Sequence, residues 1–174
     1  RFNDARSGAE ALRSHRTSGE FDPSRWRIYR VAGEDVGVLL LSDHPDEGAW
    51  EVVYVGSVPE ARGRRYGHAL VLAGLHEARS AGRSSMFLAV DLENDYACRV
   101  YRELEFDEVG VRAVQPIVDS LCTGLIGLRK NFSAGRMHSD SWAVLRAARC
   151  GLCSARIFAR STFDTLRLPD KIGS

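Results

Sequence analysis

VVYVGSVPEARGRRYGHA, residues 52–69, is the stretch whose reading decides the fold. Its β-branched and aromatic opening, Val52-Val53-Tyr54-Val55, has the composition of a strand. Pro59 has no N–H to give a ladder and holds Val58 extended, so the strand ends there. From Arg65 the apolar spacing becomes helical. A strand that feeds a Gly- and Arg-bearing turn and opens a helix is an anion site in outline. The first helical N–H groups have no intrahelical acceptor, and the helix dipole adds about half a positive charge at that end. An ordinary strand–helix junction with a solvated basic turn uses the same residue types, so this stretch alone leaves both readings open. No Gly-Lys-Ser/Thr follows the turn, which argues against a P-loop NTPase.

Working outward, a second apolar strand over 85–90 is followed by Asn94-Asp95-Tyr96-Ala97-Cys98-Arg99-Val100-Tyr101 and, past Glu105, by Phe106. Together the two stretches resemble the GNAT superfamily of acyl-CoA-dependent N-acetyltransferases, over roughly residues 10–114. That family has a strand ending in Val-x-Pro, a Gln/Arg-x-x-Gly-x-Gly/Ala loop and an Asn-x-x-Ala-x-x-x-Tyr-x-x-x-Gly-Phe helix. Here Val58 directly precedes Pro59. The loop fits as Arg64-x-x-Gly67-x-Ala69; in the other register, Arg62-x-x-Arg65-x-Gly67, arginine replaces the first glycine. Glu105 stands where the family has glycine before Phe106.

The resemblance implies acetyl-CoA as co-substrate, no metal, and transfer of the acetyl group to a primary amine by direct attack on the thioester. The acceptor is a small molecule or a protein amine, and the resemblance allows a homodimer. Ser57 and Val58 at the strand end would meet the pantetheine arm. The turn Gly63, Arg64, Arg65, Tyr66, Gly67, His68 and Ala69 would take the pyrophosphate. Asn94 fits the pantetheine arm and fits equally an N-cap of the helix that follows. Tyr101 resembles the family's tyrosine that protonates the departing thiolate, and its apolar neighbours also suit a core aromatic. An ordinary Tyr pKa of about 10 suits such an acid. Glu51, on the strand crossing the cleft, is the candidate base, with Asp91 and Glu93 as alternatives. Strict alternation puts Glu51, Val53, Val55 and Ser57 on one side of that strand. His68 reads as a helix-surface residue and His44 as a loop residue. A non-catalytic acyl-CoA-binding module of the same fold is the competing reading.

Composition agrees with a globular protein: 174 residues, 44% apolar and 27% charged, with no apolar run long enough to span a bilayer as a helix. No secretory leader is visible at the start, and a cytoplasmic setting with reduced thiols is expected. Because the sequence opens at Arg1, the family's first strand and helix are expected to lie partly upstream. Charge is uneven: residues 1–114 carry 15 Arg against 19 acids, a net of −4, and residues 115–174 carry 9 Lys and Arg against 4 Asp, a net of +5. That shift places a boundary near Gln115-Pro116, dividing a GNAT-like domain (1–114) from a basic, weakly patterned extension (115–174). A basic tail is more often solvated than bound to nucleic acid. Cys150 and Cys153 form a lone Cys-x-x-Cys, too little for a structural zinc site.

The remaining pattern predicts a helix over 8–18 and strands over 27–32, 36–41, 50–58, 85–90 and 106–114, with helices over 65–81 and 95–104. Residues 43–48 read as a polar loop and 121–128 as a closing strand. The order β-β-β-α-β-α-β is an α+β, mixed α/β fold with one parallel strand pair joined by the 65–81 helix.

Overall fold

Among the described residues of the computed structural model, which are 8–114, 123–132 and 164–167, one seven-stranded mixed sheet carries the fold. Helix α1 (Gly8–His15) leads into β1 (Trp26–Val31), β2 (Glu34–His44) and β3 (Ala49–Ser57). Helix α2 (Tyr66–Ser80) crosses to β4 (Ser85–Asp91), and α3 (Asp95–Glu103) precedes β5 (Asp107–Val114). Two further strands, β6 (Thr123–Asn131) and β7 (Asp164–Arg167), complete the spatial order β5-β6-β4-β3-β2-β1-β7. Only β3 and β4 run parallel. The predicted α+β order is therefore present.

The core lies between the sheet and one face of α2. Leu70, Val71, Leu75 and Ala78 are buried there with Leu39, Leu41, Val52 and Met86 of the strands. A side chain on Gly74 would begin 3.2 Å from Leu39 Cδ2, so its absence sets how closely α2 approaches the sheet. Each fully buried Leu or Val removes enough apolar surface from water to contribute about 1.5–3 kcal/mol. Both long helices end in the same double hydrogen bond. In α2, Gly82 N–H reaches Arg79 O and Arg83 N–H reaches Ala78 O. In α3, Glu105 N–H reaches Arg102 O and Phe106 N–H reaches Tyr101 O. This Schellman arrangement needs a left-handed residue in the middle. Gly82 supplies it at φ +76° and Glu105 at φ +58°.

Three expectations change. The 43–48 loop is shorter than its polarity suggests, because β2 runs on to His44. Ser42 and Asp43 are buried yet satisfied: Ser42 Oγ donates to Ser18 O, and Asp43 meets Arg25 and Arg83. Their hydrogen bonds make strand affordable for polar residues. Strict alternation along β3 also fails. Tyr54 lies opposite Leu40 and Val52 opposite Leu41, so Val53 is an extra, bulged residue. Lastly, the boundary expected near Gln115 is crossed by the sheet. β6 sits between β4 and β5, pairing with β4 from Ser85↔Asn131 to Asp91↔Leu125. Its two glycines, Gly124 and Gly127, are covered by Leu92 and Val109 and let it lie in the sheet. The remainder of the proposed extension, including Cys122, Cys150, Cys153 and the helical stretches over 141–160, lies outside the described residues.

Candidate active site

The parallel contact between β3 and β4 lasts three residue pairs, Ala49↔Ser85, Trp50↔Met86 and Glu51↔Phe87. Beyond Glu51 the bulge at Val53 turns β3 away, and the two strands part. From there β3 is paired only with β2, and β4 only with β6. Val58 N–H donates to Val36 O at 3.2 Å, and Val58 O accepts from Ala61 N–H. Alternation along the ladder then aims the amides of Val55 and Ser57 at the opposite edge, into the gap. A gap lined by unpaired peptide groups can accept a chain of amides as a strand would.

At the mouth of the gap stands the Arg/Gly turn. A one-turn 3₁₀ helix, Pro59–Ala61, ends at Arg62; Gly63 has φ +77° and Arg65 has φ +60°. The first hydrogen bond of α2 runs from Ala69 N–H to Arg65 O. The N–H groups of Tyr66, Gly67 and His68 therefore have no helical acceptor, no side chain caps them, and no acid lies in the first turn. Arg62 and Arg64 are exposed and make no ion pair among the described residues, whereas Arg65 Nη2 is held by Glu103 Oε2 at 2.6 Å. Arg65, which takes the place of the first glycine in the register Arg62-x-x-Arg65-x-Gly67, occupies the left-handed conformation that glycine adopts most easily. A Cβ on Gly67 would meet nothing within 4 Å, so a ligand can come close to its N–H. Burial, and then the charge of Arg65, lowers the His68 pKa below that of a free imidazole.

The other predicted residues fall on two sides of the gap. Tyr101 lies on the helix side, its ring buried and edge-on to Phe106 at 5.7 Å. Burial, then Cys98, pushes its pKa up to about 12, so the phenol stays protonated at neutral and alkaline pH. The Tyr101 hydroxyl forms no hydrogen bond among the described residues. Asn94 is the N-cap of α3, its Oδ1 accepting from Ala97 N–H at 3.2 Å. Asp91 Oδ1 accepts from Glu93 N–H, bracing the turn between β4 and α3.

Glu51 lies on the opposite face, the one that His15 of α1 touches through Tyr54. Because of the bulge it shares that face with Tyr54, whose ring meets His15 at 5.7 Å, and not with Val55, which packs into the core. Glu51 Oε2 accepts from Ser18 Oγ at 2.5 Å and lies 2.9 Å from His44 Nε2. His44 packs edge-on against Phe87 at 5.0 Å. Neither Ser18 nor His44 was legible as a site residue. The signal that would have found His44 is the continuation of β2, which carries it level with Glu51's strand neighbours; Ser18 had none. Among the described residues no set of His, Cys, Asp and Glu is grouped to hold a metal, and no helix is long and apolar enough to cross a membrane.

A mixed sheet that parts beside an uncapped, arginine-flanked helix N-terminus offers unpaired amides to a chain and N–H groups to an anion. Residues 3–106 match the Acetyltransferase (GNAT) family, and the chain belongs to it. Among its relatives is the mycothiol acetyltransferase of Thermobispora bispora, 39% identical over 102 residues, covering 56% of this chain and 35% of that protein. That of Saccharopolyspora erythraea is 41% identical over 88 residues, covering 49% and 28%. The chain thus spans about a third of the length of these relatives. The ribosomal-protein-S18-alanine N-acetyltransferase of Escherichia coli shares the fold at a TM-score of 0.58 and 15% identity, covering 74% of this chain and 79% of that one. A Bacillus subtilis acetyltransferase in complex with CoA does so at 0.53 and 14%, covering 63% and 78%.

Proposed function

We propose that this chain is a cytoplasmic N-acetyltransferase that moves the acetyl group of acetyl-CoA onto a primary amine by direct attack on the thioester. The observation that carries the reading is the gap opening at Val53 between two parallel strands, with an uncapped helix N-terminus at its mouth and Glu51 and Tyr101 on its two sides. The pantetheine arm lies in the gap against Val55 and Ser57, and Asn94 Nδ2 hydrogen-bonds it. The pyrophosphate sits on the amides of Tyr66, Gly67 and His68, with Arg62 and Arg64 beside it. Glu51 takes a proton from the acceptor ammonium. The neutral amine then attacks the carbonyl, and the C–S bond breaks. Tyr101 gives its proton to the leaving thiolate, and the second proton of the attacking nitrogen, lost as the amide forms, restores the phenol. Holding the reactants in line converts a bimolecular encounter into a near-unimolecular step.

The acceptor approaches from the α1 face, where Glu51 and Tyr54 lie. Mycothiol-related amines head the panel to test, because the relatives at 39–41% identity are mycothiol acetyltransferases. Free-thiol release from acetyl-CoA, followed against that panel and against peptide N-termini and polyamines, decides the matter. Amine-dependent thiol release with an acetylated product is expected. Acetyl-CoA binding without release to any amine would leave an acyl-CoA-binding module instead.

A further inference from the structure

We propose that His44 is the positioning residue for Glu51 and the outlet for the proton that Glu51 removes, with Ser18 fixing the same carboxylate. The assignment rests on the acetyl-transfer reading above and deepens it.

The geometry begins in the connector between α1 and β1. Glu20 and Asp43 exchange backbone hydrogen bonds, Glu20 N–H to Asp43 O at 2.7 Å and Asp43 N–H to Glu20 O at 3.2 Å. This two-residue bridge clips the connector onto the end of β2. Gly19, at φ +63°, sits so close that an added Cβ would fall 2.5 Å from Asp43 O and 2.6 Å from His44 Nε2. The clip thereby delivers Ser18 Oγ to Glu51 and places His44 between the connector and β4, its ring against Phe87.

Both contacts fall on one oxygen of Glu51. Oε2 takes the Ser18 hydroxyl and the His44 ring nitrogen, and Oε1 takes neither. A carboxylate held through one oxygen has its rotation fixed and its second oxygen presented to an incoming ammonium. His44 and Glu51 are partly buried, so the pair is neither dry nor freely solvated. Asp43, the chain neighbour of His44, is tied to Arg25 and Arg83. On β6, Arg129 lies over the Phe87 ring at 5.2 Å and pairs with Glu47 at 2.6 Å; on α1, His15 lies against Tyr54. Proton flow balances: the ammonium loses H⁺ to Glu51, Glu51 passes it to Nε2 of the Nδ1–H tautomer of His44, the imidazolium loses its Nδ1 proton to water, and proton exchange with water returns the ring to the Nδ1–H tautomer before the next turnover. The base is thus reset for each turnover without the acceptor having to leave.

The test uses the whole chain and the amine that wild-type protein acetylates. His44→Gln keeps an N–H donor within reach of Glu51 but cannot carry a proton onward; His44→Ala leaves room for free imidazole. Expected are a fall in kcat of about tenfold or more for both variants and an unchanged KM for acetyl-CoA. Added imidazole restores His44→Ala and not His44→Gln. Wild-type kcat in His44→Gln, or loss in His44→Ala without rescue, overturns the assignment. Nitrogen NMR of the His44 ring checks the contact without turnover: the Nε2 signal should move on Glu51→Gln, and a signal that stays put overturns the pairing even if the His44 variants fail to fold. Wild-type protein that acetylates no amine defeats the acetyltransferase reading and this assignment with it; the NMR result then tells whether the pair still exists as a structural contact.

Discussion

Glu105 and Gly82 hold the same backbone place at the ends of two helices, yet one carries a side chain against its φ. A left-handed conformation costs an L-residue about 1–2 kcal/mol. Glu105 recovers little of this from Lys130, 2.7 Å away, because the carboxylate is 83% exposed. Glu105→Gly should therefore stabilise the fold, by about 0.5–1 kcal/mol in urea denaturation, without touching acetyl-CoA binding. Departure from a family pattern is here a stability matter and not a loss of chemistry. Tyr101 is the opposite case, since its ring is committed to the core and its hydroxyl is not bonded to any described residue. Tyr101→Phe should leave the melting temperature nearly unchanged and lower kcat and kcat/KM together by about tenfold or more, a contact that matters chiefly in the transition state. Stopped turnover assays and a thermal melt on one preparation separate the two. At this scale the sequence was informative where local pattern suffices, as for Asn94 as the N-cap of α3 and Tyr101 as a ring packed in the core. It was silent on Ser18, a lone hydroxyl in a polar turn that becomes a partner of Glu51 only through the clip onto β2.

Helix α2 carries its chemistry at one end and its packing along one side, so the two can be varied separately. Gly67 is helical and open to solvent at its Cβ position. Gly67→Ala should raise helix stability by up to about 1 kcal/mol and at the same time weaken acetyl-CoA, because the methyl group stands where a phosphate would approach the amide. Opposite signs in denaturation and in calorimetric binding are the expected signature; equal or tighter binding would move the phosphate elsewhere. The strand β2 illustrates why polarity misleads. Burial raises the Asp43 pKa, but the Arg83 hydrogen bond and the charges of Arg83 and Arg25 outweigh it and hold the carboxyl below its ordinary value. A carboxylate with a depressed folded pKa adds stability above the unfolded value of about 3.9, and that stability is lost as pH falls toward the folded value. Wild-type protein should accordingly lose stability as pH drops below about 4, and Asp43→Asn, less stable at pH 7, should show a shallower acid slope in pH-dependent denaturation. A strand ending in Ser-Asp-His reads as a loop until Arg25 and Arg83, from before β1 and after α2, are seen to converge on it.

Across the molecule, the order of elements to Val114 was legible because each strand and helix has its own local signature, and the βαβ crossover admits few topologies. Strand β6 was legible as a closing strand over 121–128, but its place between β4 and β5 was not, since that depends on long-range pairing. The consequence is testable by shortening the chain. Protein ending after Phe132 should fold, while protein ending at Val114 should not, for it strips β5 of its neighbour and uncovers one edge of β4. Circular dichroism and a cooperative melt distinguish them; a folded 1–114 fragment would mean that β6 is an addition to a self-sufficient sheet.

The three residue pairs that join β3 to β4 have one more implication. Among the described residues they are the only hydrogen-bonded seam between a half-sheet of β7, β1, β2 and β3 and a half-sheet of β4, β6 and β5. A seam so short would let the two halves hinge, with α2 packed against both β3 and β4. A pantetheine arm laid in the opening would act as an eighth strand, closing two plates into one, so the molecule's stiffness would be borrowed from its own substrate and returned at each release of CoA.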